Sequence, residues 1–138
     1  MNLLKEAENN SSRFLNERPA LKETQPVTVL SSLLLEEVEE FIAELPGGDR
    51  GKILDEFTDI VNYVAQIKAT LLDKYGITEQ ELVDRSRYKY EIRNEHKYPA
   101  EDYQEGNSSE IRQRHVLAWA FLQAYGNTPE QKLGGEYY

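Results

Sequence analysis

Apolar positions recur at helical spacing in several blocks of this chain, and nowhere do they alternate for long enough to predict a strand. Over residues 27–45, Leu30, Leu34, Val38, Phe41, Ile42 and Leu45 fall along one side of a helix. Over residues 50–75, Ile53, Phe57, Ile60, Val61, Val64, Ile67 and Leu71 repeat the pattern. Between the blocks, Pro46-Gly47-Gly48-Asp49 is a short breaker, so the two helices are expected to fold back as an antiparallel hairpin.

The flanking sequence adds weaker elements. Leu3, Leu4, Ala7, Phe14 and Leu15 predict a first helix over residues 3–16, interrupted by the poor helix formers Asn9-Asn10-Ser11-Ser12. The stretch from Pro19 to Pro26 reads as a connection, with Thr24 as N-cap of the helix that follows. Gly76 suits the end of the third helix, and Thr78 with Glu81 is a capping-box signature for a fourth. That helix should reach residues 94–97, with Pro99 as its stop. After a polar stretch over 100–108, a fifth helix is expected over 109–125, with Trp119 and Phe121 as core or interface residues. The fold class predicted is all-α, an antiparallel helical bundle of about five helices. Residues 1–99 would form the bundle, and residues 100–138 an extension belonging to the same domain or to an interface.

Composition narrows the functions available. A chain of 138 residues can bury a real core, and the absence of cysteine excludes disulfides, thiolate zinc sites and thiol nucleophiles. A net charge of −9 argues against a nucleic-acid polymer as partner. No apolar run suits a membrane span, and the opening MNLLKEAENNSS lacks the order of a signal peptide, so the cytoplasm is the expected compartment.

The candidate chemistry lies in the hairpin. Glu36, Glu37 and Glu40 sit on its first helix, and Glu56 and Asp59 on its second, with Tyr63 four residues further. Residues three apart share a helix face, and these acids border the apolar stripe, whereas Glu39 lies opposite it. Folding the hairpin can gather Glu37, Glu40, Glu56 and Asp59 at one point. Four carboxylates so placed repel one another unless a cation lies among them, and oxygen-only ligands favour Mg2+ or Mn2+. On the fourth helix Arg85, Lys89, Arg93 and Lys97 recur every four residues, either as a solvated salt-bridged face or as phosphate contacts. Other motifs fail. Gly47–Lys52 lacks the first glycine and the final Ser/Thr of a phosphate loop, and neither His96 nor His115 completes the Glu-x-x-His pair of a di-iron site.

Glu36-Glu37-x-x-Glu40 followed by Glu56-x-x-Asp59 and Tyr63 resembles the MazG-type all-α nucleoside triphosphate pyrophosphohydrolases. Upstream, Glu23-Thr24-Gln25 before LSSLLLEEVEEF is similar to the family's lead-in segment, and Arg93-Asn94-x-x-Lys97-Tyr98-Pro99 is similar to its basic helix end. The resemblance spans residues 20–99. It departs from the family where an upstream Trp is missing and where Tyr90, beside Lys89, replaces a common lysine.

The resemblance implies hydrolysis of a nucleoside triphosphate between its α and β phosphates, giving a monophosphate and pyrophosphate. Glu37, Glu40, Glu56 and Asp59 would hold Mg2+, or Mn2+, against the charge of the triphosphate and of the leaving pyrophosphate. Glu36 or Glu37 would accept the proton of the attacking water. Tyr63, Lys89, Arg93, Asn94, Lys97 and Tyr98 would bind substrate, with Tyr63 toward the sugar. The family also implies a homodimer or homotetramer. The alternatives are a related dUTPase-like or phosphoribosyl-ATP pyrophosphatase, which shares the metal motif, and a non-catalytic helical assembly module.

Overall fold

A computed structural model describes residues 2–24, 26–95 and 104–124. All secondary structure among these is helical: α1 (Leu3–Asn16), α2 (Pro19–Thr24), α3 (Val27–Glu44), a 3-10 turn (Leu45–Gly47), α4 (Arg50–Lys74), α5 (Glu79–Glu95) and α6 (Ser108–Ala124). The fold is an all-α helical bundle, as the apolar periodicity predicts. Its helices fall into two compact units, Met1–Ile77 and Thr78–Tyr138. No described helix is long and apolar enough to cross a membrane.

Among the described residues, one more helix is present than expected. The stretch read as a connection contains α2, which Pro19 can open because the first turn of a helix needs no amide donor there. Thr24 does not cap the next helix. Its hydroxyl donates back to the Ala20 carbonyl at 2.9 Å, and the N-cap of α3 is Pro26, in an extended conformation without a side-chain hydrogen bond. Nor do the asparagines and serines break α1. Asn2 caps it by accepting from the Lys5 amide at 2.8 Å, and Ala7, Ser11 and Leu15 form a buried row at four-residue spacing. Packing of α1 on α4 therefore outweighs poor local propensity. A part-buried ion pair between Lys68 Nζ and Glu8 Oε1, 2.6 Å apart, joins the same two helices.

The reversal between α3 and α4 follows from the breaker residues. Gly48 takes a left-handed conformation (φ 65°), its amide donates to the Leu45 carbonyl at 3.2 Å, and the Asp49 side chain caps α4 by accepting from the Lys52 amide at 3.1 Å. The Phe41 and Phe57 rings then meet at 6.0 Å, tilted by 51°. Leu30 is fully buried and so is Ala65, but several expected core positions face outward, among them Ile42 (58% exposed) and Phe57 (46%). Among the described residues of this unit, α1 and α3 are the helices that pack extensively on α4, so the apolar stripes are wider than the surface available to cover them.

In the second unit the Thr78 hydroxyl oxygen accepts from the Glu81 amide at 3.2 Å, the expected cap of α5. Tyr88 and Asp84 are buried on this helix, and Gln80 Nε2 donates to Asp84 Oδ1 at 2.9 Å. Helix α6 begins at Ser108, one residue before the expected start, and packs on α5. The side chains of Trp119 and Phe121 lie outside the described residues.

Candidate metal centre

The hairpin does gather its acids. The antiparallel return sets Phe41 against Phe57, and the residues beside these two rings are Glu40 and Glu56. One turn further from the reversal on each helix stand Glu37 and Asp59–Ile60, so acids of both helices meet on the same side of the pair. Glu37, Glu56 and Asp59 each offer a carboxylate oxygen, and the three oxygens lie within 4.8 Å of one another. Glu40 stands outside that trio but interacts with it, hydrogen-bonding to both Glu37 and Glu56.

Proton affinities register the crowding. Burial, then the hydrogen bond with Glu40, then the charges of Glu40, Asp59 and Glu56, push the Glu37 carboxyl up from 4.5 to about 7. Glu56 is raised for the same reasons, burial first and then Glu40 and Asp59, with a hydrogen bond from Glu37 opposing in part. The Tyr63 phenol is also raised, by burial and then by the charges of Glu37, Asp59, Glu36 and Glu40. Tyr63 thus stands within the field of the acids, while Glu36 is exposed at their edge.

Two atoms test whether a cation fits. Glu37 Oε2 and Glu56 Oε2 are buried and have no hydrogen-bond partner. A carboxylate oxygen cut off from water without a donor is costly, and a positive ion among the three acids removes that cost for both. The donor set fits. A hard divalent ion suits this set of oxygens, and no nitrogen or sulfur ligand stands among the three residues.

The remaining candidates belong to the second unit. Lys89 is exposed on α5, and Arg93 and Asn94 lie in the last turns of that helix, their side chains outside the described residues. Lys97 and Tyr98 lie outside the described residues altogether. Sequence reasoning treated the four acids alike. It had no signal that Glu37, Glu56 and Asp59 would converge most closely while Glu40 bridged two of them, because that depends on the rotation of α3 about its axis against α4.

Compared with known protein families, the chain matches the MazG nucleotide pyrophosphohydrolase domain over residues 25–98, more than half its length. That span contains α3, α4, the acidic trio and α5. The chain matches no curated protein and no solved structure.

Proposed function

The chain belongs to the MazG nucleotide pyrophosphohydrolase family, and from that premise we propose that it hydrolyses a nucleoside triphosphate between the α and β phosphates in the cytoplasm, using Mg2+ or Mn2+. The observation that carries this reading is the trio Glu37, Glu56 and Asp59, with two buried oxygens lacking any donor, inside the matched span. In this reading those three residues hold the ion. Glu40, hydrogen-bonded to two of them, completes the set.

Bound there, the ion neutralises triphosphate charge and makes water more acidic. Glu36 is exposed beside the ligand set and is the group we assign to accept the proton of the attacking water, since Glu37 is engaged with the ion. Tyr63 fixes the sugar from its place beside the acids. Lys89, Arg93, Asn94, Lys97 and Tyr98 supply phosphate and nucleoside contacts, an assignment that rests on their place in the family motif. The active species is a homodimer or homotetramer, supported by the large apolar side chains that α3 and α4 leave exposed, including Leu35, Ile42, Leu54 and Phe57.

The test is product analysis of purified protein given a panel of standard and modified triphosphates with Mg2+. Monophosphate and pyrophosphate are expected, and Glu56→Gln should slow their release at least about a hundredfold. Orthophosphate and diphosphate as products would mean that another bond is cleaved. No turnover by folded protein across the whole panel would overturn the assignment. Glu36→Gln separates the acids further: it should lower kcat while Mn2+ affinity persists, whereas Glu37→Gln should lose the ion.

A further inference from the structure

A second concave site lies toward the opposite end of α4. It is a cleft of about 400 Å3 between α1, α2 and α4, whose lining includes Leu15, Ala69 and Leu72 together with Lys22, Asp73 and Lys74. Asp59 and Leu72 are separated along the continuous helix by roughly 20 Å at 1.5 Å per residue, so the acidic centre takes no part in it. Lys22 Nζ donates to Asn16 Oδ1 at 3.2 Å, and Lys74 Nζ donates to the Glu23 carbonyl at 2.9 Å. Those two bonds link α2 to α1 and to α4.

The chemistry of the lining selects a ligand class. Two lysines on one cleft favour an anionic end, in a chain where acids outnumber bases by 25 to 16. Asp73 offers acceptors for hydroxyl or amino donors, and the buried Leu15 with Ala69 and Leu72 offers an apolar floor to a flat ring. The volume lies in the range of small-molecule sites. An anion, hydrogen-bond donors and a flat apolar body occur together in a nucleotide. We infer that this cleft binds a nucleoside monophosphate, with its phosphate on Lys22 and Lys74, its sugar or base donors toward Asp73, and its base on Leu15, Ala69 and Leu72. The choice of a monophosphate among nucleotides rests on the hydrolysis proposed above, which releases one; the residues of the cleft argue for the class without it.

The experiment is titration with AMP in the presence of a chelator, read by amide chemical shifts and calorimetry, with adenosine and inorganic phosphate as parallel probes. In the wild-type chain, shifts should centre on α1, α2 and the C-terminal half of α4. The Lys22→Met/Lys74→Met pair should weaken AMP at least about tenfold, while Lys22→Arg/Lys74→Arg stays within about threefold, since charge is kept. Glu56→Gln should bind AMP as wild type does. The inference is overturned by shifts centred on Glu37 and Glu56, by equal affinity for adenosine and AMP, or by no saturable AMP binding at millimolar concentrations. Loss of binding in Glu56→Gln alone would overturn it as well. No turnover is read, so a failure of the hydrolysis reading leaves these outcomes intact, and the wild-type and arginine measurements decide the matter even if the methionine pair does not fold.

Discussion

Raising the pH should strengthen divalent-ion binding, by an amount the structure sets. An ion bound by Glu37 must displace the proton that this carboxyl holds up to about pH 7. With that value the group is ionised in a fraction of about 0.09 at pH 6 and about 0.91 at pH 8, so apparent affinity should rise about tenfold between them. Glu56, raised in the same direction, adds to the increase. Calorimetric titration with Mn2+ in two buffers of different ionisation enthalpy measures affinity and released protons together. Glu37 alone should release about 0.9 proton per ion at pH 6 and about 0.1 at pH 8. Equal affinities at the two pH values, with no proton released, would mean that the ion binds without Glu37 or that Glu37 is already ionised at pH 6.

The same shift has a consequence for stability without metal. Between 4.5 and about 7 the folded chain keeps a proton on Glu37 that the unfolded chain has lost, so this group's contribution is complete below about 4.5 and disappears as pH rises through 7. Urea melts in a chelator should therefore show stability from this site declining over that window, and added Mn2+ should restore it at pH 8; a metal-free protein whose carboxylates stabilise it more at pH 8 than at pH 5 would contradict the sign. Leu30→Ala empties a fully buried position and should cost about 2–5 kcal/mol in a denaturant melt, whereas Leu35→Ala, exposed on the same helix, should cost under about 1 kcal/mol in a single chain. Gly48→Ala meets no atom within 4 Å of its new methyl group, so its cost, about 1 kcal/mol, should come from the left-handed backbone alone and be unchanged by Mn2+.

Local chemistry determined much of this protein. The hairpin was legible because its signals lie within a few residues: Gly48 supplies the left-handed turn, Asp49 the cap, and the spacing of Glu37 with Glu40 and of Glu56 with Asp59 places each pair on one face. The ends of α4 and α5 were readable at Gly76 and Thr78 for the same reason. Other features depend on partners distant in sequence. Pro19 and Thr24 looked like linker residues, yet their segment is helical and is fastened by Lys74 from the far end of α4. The asparagine–serine run looked like a break, yet Ser11 is buried within a continuous α1.

Periodicity identifies which residues share a face, and the burial of that face depends on how many other helices reach it. Ile42 and Phe57 have the same periodic credentials as Leu30, but only Leu30 is enclosed. That four carboxylates would lie at one side of a hairpin follows from helical spacing, which is a local property. The convergence of Glu37, Glu56 and Asp59, the seclusion of two of their oxygens from water and the shared cleft of Lys22 and Lys74 come instead from the packing of the helices. Those relations arise from the rotation and approach of whole helices, which are set by side-chain packing summed along each interface and not by any single residue's preference.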